Sequence, residues 1–191
     1  MKSFWVVGIL AMLAACALAG GQTKRKDPRS DLIWDSAHNR FVDQLDYWWD
    51  DGDFPRCVQL LRMMAELTPD DYEIATDLGW MLENVEQMDA ALAVYVKFRK
   101  DNPDVGDAPF PEANFYYKQR LFAKVPPLLE RTLVLKPHPN SWRILAHSYE
   151  KMGMLSDSRR VWTTYLRQYP NDEPAKNNLR RVEGKLGKAG R

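Results

Sequence analysis

The 191-residue chain predicts an all-α fold of helical hairpins, repeated about four times, stacked as a solenoid and closed by a C-terminal capping helix. Three observations carry this. Prolines recur at Pro69, Pro103, Pro137 and Pro170, separated by 34, 34 and 33 residues, and each ends a stretch of helical periodicity. Apolar residues in those stretches share one helical face, as do Leu78, Met81, Leu82 and Val85, or Ala91, Tyr95 and Phe98. Small residues recur at matching points: Gly79, Ala113 and Ala146 on first helices, Cys57, Ala91 and Ser158 on second ones. There two backbones can approach while large neighbours fill the holes. A single hairpin leaves an apolar face that only a neighbour can cover, so the period implies an array.

In chain order, Lys2 precedes the apolar run from Phe4 to Ala19, which falls short of the ~20 residues of a spanning helix. A basic start, an apolar centre and small residues predict a signal peptide over 1–19 and an exported protein. Two cleavage sites compete. Ala17-Leu18-Ala19 before Gly20 is an A-x-A site, whereas Leu13-Ala14-Ala15-Cys16 resembles the bacterial lipobox. The second implies lipidation of Cys16 and a membrane-anchored lipoprotein facing the periplasm. Lys24, Arg25 and Lys26 favour a third outcome, an uncleaved N-terminal anchor. Residues 20–29 read as a flexible basic tether, polar and without apolar periodicity through Ser30.

The solenoid is expected over 30–187. Ser30 is placed as the N-cap of a helix running to about Asp50, with Trp34, Ala37, Phe41, Leu45 and Trp48 on one stripe. Closing each repeat at its proline gives units 38–71, 72–105, 106–138 and 139–172. The third departs most: Pro109 and Glu112 occupy core positions, and Pro126-Pro127 must begin its second helix, after a longer loop. Pro174 opens a capping helix, 173–187, carrying Ala175, Leu179, Val182 and Leu186. Its glycines predict fraying after about Lys185.

The fourth unit carries Trp142-x-x-Leu145-Ala146-x-x-Tyr149, then Ser158-x-x-x-Trp162, then Pro170. These residues at these offsets resemble the tetratricopeptide repeat (TPR), a helix-turn-helix unit of about 34 residues. The second unit follows with Leu78-Gly79, Leu82, Ala91, Tyr95 and Pro103 in register, and the resemblance spans 38–172. Near the end of each second helix the family has Ala, whereas this chain has Met64, Phe98, Thr132 and Tyr165.

The resemblance implies a right-handed α-solenoid whose first helices line a concave face that binds a peptide or partner helix. It therefore implies a non-enzymatic protein-interaction scaffold, here of the bacterial cell envelope. Carried over, the lining positions are Val42, Asp46 and Trp49, then Thr76, Trp80, Glu83 and Asn84. Asn114, Tyr117 and Lys118 follow, then Arg143, His147, Glu150 and Lys151. The subset of the family that clamps acidic chaperone tails has Lys and Asn where this chain has Val42, Asp46 and Thr76. Bacterial lipoproteins with TPR arrays serve in outer-membrane protein assembly and pilus biogenesis. The alternatives are a homo-oligomeric structural component, or an accessory subunit of an envelope-assembly or cell-wall enzyme complex.

Other chemistries find little support. A formal net charge of +1 gives no argument for nucleic acid. His38, His138 and His147 lack the spacing of metal ligands, and Asp43, Asp46, Asp50, Asp51 and Asp53 lack that of a calcium loop. Cys57 reads as a buried structural thiol, and no nucleophile set, phosphate loop or cofactor motif is present. Charge is graded: residues 31–53 hold seven Asp against one Arg, and 180–191 hold five Lys or Arg against one Glu. Such polarity can orient a charged partner.

Overall fold

The computed structural model describes residues 28–189; the signal peptide, Cys16 and most of the tether lie outside the described residues. Among the described residues the helices are α1 (Pro28–Asp50), α2 (Phe54–Leu67), α3 (Tyr72–Asn84), α4 (Met88–Asp101) and α5 (Phe110–Lys118). They continue with α6 (Pro126–Leu129), α7 (Pro139–Lys151), α8 (Leu155–Gln168) and α9 (Glu173–Ala189). The described residues hold no strand. The chain divides into two compact units, one ending at Arg40 and one beginning at Phe41. In the first, Ser36 Oγ donates to the Leu32 carbonyl at 2.8 Å, Trp34 lies 6.4 Å from His38, and Leu32 and Ile33 are exposed.

The second unit is a solenoid of TPR-type hairpins. From α2 onwards packing runs between successive helices, α2 on α3, α3 on α4, α7 on α8 and α8 on α9, and α5 lies against α7. The small residues mark the close approaches. A Cβ built on Gly79 would stand 2.0 Å from Tyr95 Cε1, so α3 meets α4 only because that position is bare. Ser158 Oγ donates to the Ala146 carbonyl at 2.8 Å, and Cys57 Sγ donates to the Leu45 carbonyl at 3.7 Å. Each of these two residues thus reaches back twelve positions onto the preceding helix. The Cys57 thiol is buried as expected, and burial raises its pKa, as does nearby Asp53.

Where the family has Ala, Met64, Phe98 and Tyr165 are buried and set the junctions between repeats. Phe98 meets Tyr72 edge-on at 5.9 Å. Asn102 Nδ2 donates to the carbonyls of Pro69 and Phe98 at 3.2 and 3.1 Å, tying the ends of two repeats. Asp53 and Asp71 accept from Arg56 and Ile74 backbone N–H groups, capping α2 and α3.

Three expectations need correction. Ser30 is not an N-cap: α1 already begins at Pro28, so the last residues of the expected tether are helical. Proline is pre-set for a first helical turn, which accounts for the earlier start. In the third unit Pro126 does start a helix, but it ends at Leu129 and gives way to a 3-10 segment, Glu130–Leu135. A further 3-10 turn, Phe122–Lys124, precedes it. Val125 and Leu129 are still fully buried, so this shortened element fills the core space of a second helix. The capping helix continues to Ala189 instead of fraying after Lys185. Leu186 packs on the core cluster of α7 and α8, while Gly184 and Gly187 face open space.

The third unit's other oddity is resolved by an ion pair. Glu112, at an apolar position of the repeat, is buried and accepts from Arg99 Nε of α4 at 2.6 Å. Leaving either partner alone there is costly.

Glycine substitutions test the packing. Gly79→Ala is expected to lower unfolding stability by about 1–3 kcal/mol, because the new methyl overlaps the Tyr95 ring. Gly184→Ala, in open helical surface, is expected to raise it by about 0.5–1 kcal/mol. Urea titration of both variants measures the contrast.

Candidate functional site

The lining positions lie on α1, α3, α5 and α7, and the structure gathers them into two regions. The first is aromatic. Trp48 of α1 packs on the core cluster, which leaves Trp49 on the adjacent, accessible face. Trp49 stands 5.3 Å from Trp80 of α3 and 5.1 Å from Phe54 of α2, ring centre to ring centre. Both tryptophans keep two-fifths or more of their surface exposed, at 40% and 45%. This is large apolar area held rigid and open to a partner. Asp46 and Val42 are exposed one and two turns earlier on α1, and Asn84 Nδ2 donates to the Trp80 carbonyl at 2.9 Å.

The second region is charged and runs across α5, α7 and α9. Glu83 of α3 links the two regions: it accepts from Tyr95 Oη at 2.9 Å and pairs with Lys118 at the end of α5. Burial and the bond to Glu83 push the Tyr95 phenol well above its usual pKa. One repeat on, Tyr117, His147, Glu150 and Lys151 line a cleft with Arg181 and Lys185 of α9. Glu150 accepts from Arg181 Nε at 3.0 Å and Nη2 at 2.7 Å, and from Lys185 Nζ at 2.7 Å. The Arg181 hydrogen bonds hold its carboxyl at about 2, far below the usual 4.5. His147 packs its ring edge-on to Trp162 at 5.2 Å, with Nδ1 3.6 Å from Glu150. Burial, then Arg181, pull its pKa below the usual 6.5, so it is neutral at pH 7. An adjoining cleft is lined by Tyr117, Lys118, Arg120, Phe122 and Lys151.

Two lining positions have other work. Thr76 Oγ1 is spent on the Tyr72 carbonyl at 2.7 Å. Arg143 is built into the junction of α8 and α9. Its Nη2 donates to Asp172 at 2.8 Å, Tyr165 Oη donates to the same oxygen at 2.6 Å, and Asp172 accepts from the Ala175 backbone N–H at 3.0 Å. The Tyr165 and Arg143 hydrogen bonds lower Asp172 to about 2, while burial raises Tyr165 to about 12. Asn114 is half-buried on α5.

Sequence reasoning missed Arg181, Lys185 and Arg120 as parts of this face. A signal existed for the first two: they follow Glu150 by 31 and 35 residues, one repeat onward, and share a helical face. Along the sequence they fall within the basic C-terminal run. Arg120 follows α5 with a left-handed backbone (φ 61°), a turn position that repeat phasing does not reach.

The acid dependence of stability tests this network. The folded carboxyls of Glu150 and Asp172 titrate below their usual range, so their contribution is complete above about 4.5 and 3.8 respectively. It is lost as pH falls towards about 2 in each case. Glu150→Gln is expected to lower stability at neutral pH and to flatten its fall through that window, as measured by denaturant titration at stepped pH.

No protein-family model and no curated protein matches the chain. Solved structures of MamA do. The MamA RS-1 ArsTM double mutant aligns with a TM-score of 0.62 at 17% identity, covering 78% of this chain and 84% of that one. A second MamA crystal structure gives 0.62 at 15% identity, covering 78% and 82%. MamA 41-end from Desulfovibrio magneticus RS-1 gives 0.57 at 16% identity, covering 78% and 91%. At these identities the likeness speaks for the fold, and the chain shares the TPR-type helical solenoid of MamA.

Proposed function

We propose that the chain is a non-enzymatic scaffold of the bacterial cell envelope that binds a peptide or partner helix on its first-helix face. The observation that carries this reading is the Trp49–Trp80 pair. Two indoles stand 5.3 Å apart, each at least 40% exposed. Burying such rings inside the solenoid would stabilise the fold. Leaving them open favours a ligand that covers them, since exposed aromatics on a rigid surface are typical anchors of binding. The neighbouring charges supply orientation and rate more than affinity.

Attachment to a membrane through Cys16, facing the periplasm, follows from the Leu13–Cys16 resemblance to a lipobox. Several acyl chains, as the lipoprotein resemblance implies, anchor stably where one would not.

Affinity capture from bacterial membranes tests both parts. Trp49→Ala with Trp80→Ala is expected to cut recovery of the specific partner roughly tenfold while leaving the helical circular dichroism signal intact. Equal recovery with the double variant rejects the face. The N-terminal peptide of the recovered bait is expected to begin at a lipid-modified Cys16; an unmodified Gly20 start refutes the anchor.

A further inference from the structure

The charged region has a regularity of its own. Lys118, Lys151 and Lys185 are separated by 33 and 34 residues, the repeat period, and fall near the ends of α5 and α7 and late in α9. They form a ladder of ammonium groups, one per successive helix of the face. Arg181 stands one turn before the last rung, and Arg120 lies beside the first two rungs in the cleft with Tyr117 and Phe122.

The acidic groups facing this ladder are fewer. Glu83 is spent on Lys118 and Tyr95. Glu150, its carboxylate 8% exposed, is shared between Arg181 and Lys185. Among the described residues, Lys151 and Arg120 have no side-chain ion pair. The neutral state of His147 neither adds to nor offsets the charge. The two clefts, which share Tyr117 and Lys151, therefore carry a clear excess of positive charge in a chain whose net is only +1.

We propose that this lysine ladder holds an acidic peptide segment, its carboxylates meeting Lys151 and Arg120 while Tyr117 and Phe122 flank its backbone. The proposal rests on the reading that this face binds a polypeptide, and it names the chemistry of that polypeptide. Glu150 shows what these cations take: a carboxylate held by a two-pronged guanidinium and an ammonium, the geometry such groups favour. The spacing suits an extended chain. Neighbouring packed helices lie roughly 8–10 Å apart, which about three residues of extended backbone span. A recessed cleft with an aromatic wall fits a peptide better than a flat bilayer or a duplex.

The test uses fluorescence anisotropy of a labelled hexaglutamate peptide on the full chain, with hexalysine, inorganic phosphate and a single-stranded oligonucleotide as comparisons. Wild-type protein is expected to bind hexaglutamate in a salt-sensitive manner, to ignore hexalysine, and to release it to neither phosphate nor oligonucleotide at matched charge. Lys151→Glu with Arg120→Glu is expected to weaken binding about tenfold or more, with the circular dichroism spectrum unchanged because neither side chain is buried. Lys151→Arg with Arg120→Lys is expected to restore it. Unaltered binding by the charge-reversed variant, or equal competition by phosphate or oligonucleotide, overturns the proposal. If that occurs while Trp49→Ala with Trp80→Ala still abolishes partner capture, the binding face stands and its acidic ligand falls.

Discussion

The structure depends on how closely two helices of a hairpin approach. At Gly79 there is no room for even a methyl group, because the Tyr95 ring occupies the place where a Cβ would stand. At Ser158 and Cys57 the approach brings a side-chain donor onto a main-chain carbonyl of the preceding helix. These contacts set the depth at which hairpins interlock, and large residues fill what remains: Trp142, Trp162 and Tyr165 in the fourth unit, Leu82 and Tyr95 in the second. Interiors packed to this density transmit position, so the lining side chains are held by cores one layer below them.

The third unit shows how far a repeat can depart and still stack. Its first helix has nine residues and its second element is a four-residue helix followed by 3-10 turns. What it keeps is burial of Val125 and Leu129. What it adds is polar. Glu112 pairs with Arg99, and Glu130 accepts from Tyr149 Oη at 2.7 Å and pairs with Arg160. Burial, then the bond to Glu130, raise the Tyr149 phenol to about 12. The carboxylates take the place of helical turns, fastening the irregular unit to α4 on one side and to α7 and α8 on the other.

The same logic of bridging repeats produces the face. Glu83 with Lys118, and Glu150 with Arg181 and Lys185, each join one first helix to the next. Each sets a largely covered carboxylate, 11% exposed in Glu83 and 8% in Glu150, against a partly exposed cation. Their consequence is electrostatic, since they consume the acidic groups of the charged region and leave Lys151 and Arg120 unmatched. The aromatic pair and the basic clefts thus lie on one succession of helices, α1, α3, α5, α7 and α9.

Much of this was legible beforehand, and for a definite reason. Proline spacing, small residues at the crossings and helical phase are all local or periodic, so repeat number, hairpin pairing and the separation of Trp48 from Trp49 could be read along the chain. The run of α9 past its glycines and the shortened third unit could not, because packing outweighed propensity there; the early start of α1 is instead local, set by Pro28. The lining list was carried over from the family resemblance by repeat phase, and phase cannot tell a free side chain from an occupied one. Arg143 and Lys151 are both carried-over lining positions of α7, yet Arg143 is committed to Asp172 and Lys151 is open. Sequence by itself determined the repeating hairpin and which face of each helix turns inward. Tertiary structure decided which charges on the outer face find a partner one repeat away, because that depends on distances across helices that no position along the chain encodes.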